Sequence, residues 1–390
     1  MSEAATGPAG TRTGEMVQLL DADGVRREHP GYDVRLEPDE LLGLLRDLVL
    51  MRRLDTEAEA LQRQGQLGLW AGSRGQEAAQ VGAARALRRQ DHVFPTYRDH
   101  GFLLVREADP LHVLSLYRGV DHGGWDPVAL GVHPYTLVIA AQLLPAVGYA
   151  MGVQRDGAVG TGDPGRDTAV VACLGDGATS QGETAEALTW AAVYNAPVVF
   201  LCQNNQWAIS EPVRRQSTVP LHRRAEGVGI PGVLVDGNDV LAVLAVLRSA
   251  LERARSGGGP TFVEAYTYRM GAHTTADDPS RYRDAAEVDA WRDRDPIDRL
   301  RTHLRAEGVL DDAFEQALAV EADEFATRLR AGVRDMPDPE PASMFEHAYA
   351  EPHPQVQAER DEFLAAWARH EQDAPQQEHH DQHATAGRDR

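Results

Sequence analysis

The chain has 390 residues, 42% of them hydrophobic, and a formal net charge of −21. That length allows a large buried core and about two to three domains, while the acidic balance excludes the basic face on which general nucleic-acid binding depends. All 39 basic residues are arginine, which excludes both a lysine Schiff base with pyridoxal phosphate and a Walker-type phosphate lysine.

Residues 1–35 are expected to form a loose N-terminal arm with a small hairpin at Asp23-Gly24. No basic start followed by an apolar stretch is present, so no secretory signal is expected. Leu41, Leu44, Leu45, Leu48 and Met51 recur at helical spacing and predict a helix from Pro38 to Gln64. A second helix is predicted over 73–88, then a short strand at His92-Val93-Phe94 and a polar turn from Thr96 to Gly101. Residues 156–167, rich in glycine, read as a surface insertion.

From there the pattern becomes regular. A strand over 168–174 runs into Gly175-Asp176-Gly177, and a helix over 183–194 follows. The next strand, 198–202, ends at Asn204-Asn205. A strand over 232–235, a helix to Arg255 and a strand over 261–267 complete the series. This alternation predicts an α/β fold: a doubly wound, mostly parallel sheet with helices on both faces. A charged, helical C-terminal region follows Pro279, so that residues 36–370 form the main domain and residues 371–390 a disordered tail. No apolar run approaches the roughly 20 residues that span a bilayer, and no membrane partner is expected. Cys173 and Cys202 sit in apolar runs and read as buried thiols of a reducing compartment. A soluble, cytoplasmic protein is the expectation.

In an open parallel sheet, ligands bind at the carboxyl ends of the strands. Asp176 follows one predicted strand, Asn204 and Asn205 the next, and Arg269 and His273 the last. Asp176 and Asn205 lie 29 positions apart, about one strand–helix–strand unit. If the two strands are neighbours, a carboxylate, an amide oxygen and a backbone carbonyl reach one ion, a set that suits Mg²⁺ completed by ligand phosphates. Gly175 and Gly177 let the backbone approach a diphosphate closely, with the N–H groups of Gly177 and Ala178 as donors near a helix start. Arg98 and Arg269 are the candidate charge partners, because a guanidinium clamps phosphate through two donors.

Gly175-Asp176-Gly177 through Asn204-Asn205 resembles the thiamine diphosphate signature, and the chain is similar to the alpha subunit of the decarboxylating component of 2-oxo acid dehydrogenase complexes. Gly75-Gln76-Glu77-Ala78, Tyr97-Arg98, 204–210, 235–240 and above all 268–283 carry that likeness, over roughly 41–349. The resemblance implies thiamine diphosphate and Mg²⁺ as cofactors. Asp176, Asn205 and the Trp207 carbonyl would hold the metal. Tyr97, Arg98 and Arg269 would bind the diphosphate, with Gly177 and Ala178 donating backbone N–H groups. Ile139 would pack against the bent cofactor, or simply belong to the core. His273 would line the site and act as acid in acyl transfer, and the loop 274–283 would order over the cofactor.

The same resemblance implies a beta subunit in an α2β2 assembly, which supplies the activating glutamate, and a lipoyl-bearing transacylase. Glu183 and Glu186 read instead as helix-dipole or packing residues. Branched-chain members carry a potassium site that Thr136 and Gln142 match and Ala141 does not. Thr274 stands where animal relatives have a kinase target. The substrate is pyruvate, slightly favoured by His100 in Tyr97-Arg98-Asp99-His100, or a branched-chain 2-oxo acid, favoured by 204–210 and 274–278. The competing readings are a non-catalytic structural subunit and a nucleotide-dependent Mg²⁺ enzyme; the first needs a broken metal pair, the second a phosphate loop.

Overall fold

The computed structural model describes residues 16–121 and 123–373. The expected tail beyond Asp373 and the first part of the arm lie outside the described residues. The chain forms two compact units, one ending at Met336 and the other beginning at Pro337.

The first unit is built on seven strands: β1 (His92–Phe94), β2 (Val170–Gly175), β3 (Val198–Asn204), β4 (Trp207–Ala208), β5 (Glu211–Pro212), β6 (Gly232–Asp236) and β7 (Thr261–Tyr266). Five of them make a parallel sheet in the order β1-β2-β3-β7-β6. The strands are apolar almost throughout because both faces are covered, as parallel sheets require. Along β2 and β3 alternate residues part to the two sides. Val171, Cys173, Val199 and Leu201 join the core under helices Pro38–Arg63, Glu77–Arg85 and Val240–Arg255. Val170, Ala172, Leu174, Val198, Phe200 and Cys202 join the core under helices Leu143–Arg155, Gly182–Val193 and Leu221–Glu226. Both cysteines are free and buried. No helix among the described residues is long and apolar enough to cross a membrane.

Three features differ from the sequence expectation. From Val17 onward the arm is fastened rather than loose: Val17 pairs with Val235 beside β6, and the N–H groups of Leu19 and Leu20 both donate to Asp239. Burying Val17, Leu19 and Leu20 against the sheet edge supplies the reason. Between Asp176 and its helix stands a 3-10 turn, Gly177–Ser180, closed by Thr179, whose N–H and hydroxyl both donate to the Asp176 carbonyl. The helix itself starts at Gly182. Finally, β4 and β5 form a two-stranded ribbon after the Asn204-Asn205 strand end, where the sequence predicts no strand.

The second unit contains the 3-10 turn Pro341–Phe345 and helix Pro354–Asp373. Phe363 packs against both Phe345 and Trp367 within it.

Two glycines with positive φ separate backbone strain from close approach. Gly119 ends helix Pro110–Arg118 at φ +80, and a methyl group at its Cα would meet no atom within 4 Å. At Gly75, with φ +97, a methyl group would fall 2.1 Å from the Tyr268 carbonyl oxygen. Gly119→Ala is expected to cost about 1 kcal/mol. Gly75→Ala is expected to cost clearly more, read as the larger drop in unfolding midpoint; equal drops would show that the Gly75–Tyr268 contact yields freely.

Candidate functional site

The carboxyl ends of β2, β3 and β7 open into one cavity of about 400 Å³. β2 delivers Gly175 and Asp176, with Gly177 and Ala178 in the turn that follows. β3 delivers Gln203 and Asn205, and the ribbon after it Trp207. The chain beyond β7 delivers Arg269 and His273, and the turn after β1 delivers Tyr97 and Arg98. Ile139, Thr136 and Gln142 also line the cavity. β2 and β3 are neighbours in register, Gly175 beside Gln203, so Asp176 and Asn205 project from adjacent strand ends.

Asp176 is 2% exposed. Burial pushes its carboxyl up to about 6, against the hydrogen bond from Gln216, the charge of Arg269 and the N–H of Asn205, which hold it down. Gln216 Nε2 donates to Asp176 Oδ2 at 3.1 Å. The Asn205 amide is oriented by Gln76: Nδ2 donates to Gln76 Oε1 at 2.8 Å, which identifies Oδ1 as the acceptor of the Trp207 N–H at 3.2 Å. The Trp207 carbonyl accepts from Arg269 Nη1 at 2.8 Å and keeps a second lone pair. Among the described residues no cluster of three or more His, Cys, Asp or Glu side chains converges as a metal site. The donor set here is one carboxylate with an amide and a carbonyl oxygen, which suits a hard cation whose remaining positions are filled by ligand oxygens and water.

Two guanidinium groups face the same space. Arg98 is 6% and Arg269 1% exposed. Arg98 donates to the Gly72 carbonyl, to the His273 carbonyl at 2.8 Å and to His273 Nδ1 at 3.1 Å. Arg269 donates to the carbonyls of Trp207 and Ile209, both at 2.8 Å, and to the Tyr282 hydroxyl at 3.2 Å. None of these acceptors is a carboxylate. Burial, and next Arg98, bring Arg269 down to about 10, so it stays charged at neutral pH. Burial and the two arginines bring His273 down to about 3. With two guanidinium donors at Nδ1, the neutral imidazole carries its proton on Nε2.

Three observations show how the cavity fits a metal diphosphate. A Cβ built on Gly175 meets nothing within 4 Å, so the glycine leaves open the space a side chain would fill. Gln142 Oε1 and Arg269 Nε are buried without a hydrogen-bond partner among the described residues. The Asp176 carboxylate and two guanidinium groups that make no ion pair among the described residues share the one chamber.

His100 lies elsewhere. It is 1% exposed and outside the cavity wall, stacked on Trp70 at 4.3 Å. Its Nε2 donates to the Ala71 carbonyl at 2.9 Å and its Nδ1 accepts from the Tyr135 hydroxyl at 2.8 Å, while burial holds it down at about 3. Glu183 and Glu186 are exposed on their helix. The loop 274–283 is held by Asp277, which accepts from the His273 N–H at 2.8 Å and from the Tyr282 hydroxyl.

Sequence reasoning passes over Gln203 and Gln216. Gln203 accepts from Gln76 at 2.8 Å and Gln80 at 3.0 Å and donates to Asp99. A polar residue ending an otherwise apolar strand is the available signal for Gln203. Gln216 has none, since it reaches Asp176 from the short helix Val213–Gln216 that follows the unexpected ribbon.

The model of the family described as dehydrogenase E1 component matches residues 46–341. The 3-methyl-2-oxobutanoate dehydrogenase subunit alpha of Mycobacterium tuberculosis (strain ATCC 25618 / H37Rv) is 47% identical over 356 residues, 91% of this chain and 95% of that protein. The pyruvate dehydrogenase E1 component subunit alpha of Acholeplasma laidlawii is 38% identical over 84% of this chain and 94% of its own length. The protein of that same name from Staphylococcus epidermidis (strain ATCC 12228 / FDA PCI 1200) is 36% identical over 82% and 84%. The chain belongs to the dehydrogenase E1 component family, among the alpha subunits of 2-oxo acid dehydrogenases.

Proposed function

We propose that the cavity binds thiamine diphosphate with Mg²⁺, and that the chain, with a beta subunit in a cytoplasmic α2β2 assembly, decarboxylates a short 2-oxo acid oxidatively and passes the acyl group to the lipoyl group of a transacylase. The observation that carries this reading is that Arg98 and Arg269, buried without an ion-pair partner among the described residues, share one chamber with the Asp176 carboxylate. A ligand bearing both an anion and its own divalent cation satisfies all three charges at once.

Asp176, Asn205 and the Trp207 carbonyl would hold the metal; Tyr97, Arg98, Arg269 and the N–H groups of Gly177 and Ala178 would hold the diphosphate. When bound, the cofactor supplies the electron sink for decarboxylation. Arg98 and Arg269 keep the diphosphate fixed without reorganisation, because backbone carbonyls already set their planes. His273 is lowered by burial and then by the two arginines; an anion between them would offset that second contribution and raise the basicity of the imidazole, which would hold a proton for the acceptor sulfur during acyl transfer. Ile139, 42% exposed on the cavity wall, offers an apolar surface to the ligand.

Two observations bear on the substrate. His100, on which the pyruvate expectation rests, has both ring nitrogens engaged behind the cavity wall. The relative at 47% identity is named for 3-methyl-2-oxobutanoate. Together they favour the branched-chain acid for this chain.

In the assembled enzyme, Asp176→Ala is expected to weaken Mg²⁺-dependent thiamine diphosphate binding by at least about tenfold, or about 1.4 kcal/mol, measured by calorimetry. Unchanged affinity would remove the metal assignment, and tight ATP binding without thiamine diphosphate binding would replace the reading altogether. His273→Ala is expected to slow acyl transfer to lipoamide by about 100-fold or more with a much smaller change in cofactor affinity; equal losses would make the histidine a scaffold for the arginines. Steady-state comparison is expected to give a higher kcat/KM with 3-methyl-2-oxobutanoate than with pyruvate, and the reverse order overturns the substrate assignment.

A further inference from the structure

A basic patch interrupts this acidic protein beside the cavity. Between residues 213 and 225 the chain has four arginines, Arg214, Arg215, Arg223 and Arg224, and no carboxylate. All four are exposed. Arg214, Arg215 and Arg224 surround an open depression of about 310 Å³ together with Ser217 and Thr218. Among the described residues only Arg215 has a carboxylate partner, the exposed Glu211 at 3.4 Å, a pair that solvent leaves weak. Arg224 is held in place by donating to Thr179 Oγ1 at 3.0 Å.

The depression touches the cavity. Gln216 lines both, and on the cavity side it donates to Asp176. Thr179, which anchors Arg224, belongs to the turn that follows Asp176. A macromolecule seated on these arginines therefore stands at the cavity's rim.

We propose that Arg214, Arg215 and Arg224 form the docking patch for an acidic face of the domain that carries the acyl-accepting lipoyl group. This rests on the acyl transfer proposed above, since only that reading requires a protein to present a tethered acceptor at the rim. The charge pattern supplies the direction. A chain of net charge −21 repels an acidic partner over most of its surface, so a local cluster of unneutralised guanidinium groups selects the approach that brings the acceptor to the cavity. Arginine also suits the task, because its fork pairs with carboxylates through two donors. Rim charges of this kind act mainly on the rate of encounter and on its salt dependence.

The test uses the assembled enzyme carrying Arg214→Glu and Arg215→Glu, two exposed positions outside the cofactor-binding groups. Decarboxylation is followed with a small artificial electron acceptor, and acyl transfer with free lipoamide and with the isolated lipoyl-bearing domain. The expected result is a five- to tenfold rise in KM for the lipoyl-bearing domain, a flatter dependence of that KM on salt than in the unmodified enzyme, and unchanged KM for lipoamide. An unchanged KM for the domain, or an equal rise for lipoamide, overturns the proposal while the decarboxylation assay still reads the proposed function. Loss of the beta subunit on size-exclusion chromatography also overturns it, assigning the patch to that subunit. Absence of decarboxylation in the unmodified enzyme removes the functional reading itself.

Discussion

Two buried guanidinium groups that make no ion pair among the described residues are the constraint around which the rest of the site is arranged. Removing a guanidinium from water costs several kcal/mol unless its donors are satisfied and its charge is matched. Arg98 and the terminal nitrogens of Arg269 meet the first condition with backbone carbonyls, Arg269 Nε has no partner among the described residues, and the second condition is where the ligand proposed above would act. The fold tolerates this because the carbonyls belong to segments already fixed by the sheet. Burial first, and then the charge of the two arginines, holds His273 low, while the hydrogen bond from Gln216, followed by the charge of Arg269, keeps the buried Asp176 below what burial alone would give it.

The segment 70–76 joins these groups. Gly72 accepts from Arg98, Ala71 from His100, and Arg74 from the Met270 N–H at 3.0 Å. Trp70 exchanges two hydrogen bonds of 3.0 Å with Thr275 at the start of the loop 274–283. Its shape depends on Asp55, which accepts from Trp70 Nε1 at 2.9 Å and from the Ser73 N–H at 2.6 Å. Burial and the neighbouring Glu77 push Asp55 up to about 7, so this carboxyl is a costly group kept for its geometry. Through it, the first long helix of the chain fixes a segment that holds Arg98 and Met270, about 40 and 200 positions later. His100 has its clearest physical role in this segment, bracing Trp70 and Ala71 from behind.

Local patterns make the sheet legible. β-rich runs ending in polar residues locate β2, β3, β6 and β7 to within two residues, because strands covered on both faces have little freedom in composition. Asp176 and Asn205 are legible for the same reason, since a polar residue at a strand end has few purposes there. What escapes the sequence depends on contacts between distant segments. The clasp of Asp239 on Leu19 and Leu20 joins positions 220 and 219 apart. The ribbon β4–β5 is two residues per strand, too short for any periodicity. Gln76, Gln80 and Gln203 become one buried network only after the helix Glu77–Arg85 meets β3, and none of the three is unusual alone.

The absence of lysine acquires a structural meaning at this site. Arg98 spans two segments by sending one nitrogen to Gly72 and the other to His273, and Arg269 spans the ribbon by reaching Trp207 and Ile209 with separate nitrogens. An ammonium presents its donors from one atom and would satisfy these distant carbonyls less completely. A guanidinium held at two corners has its plane set before any ligand arrives, and what remains of its donor edge is already aimed. The arginines thus cross-link chain segments, and the clamp proposed above would draw on the same donors. Arg269 also donates to Tyr282 in the loop 274–283, which couples the order of that loop to the placement of the guanidinium. Whatever loosens the carbonyls of Gly72 or Trp207 loosens these guanidinium groups with them.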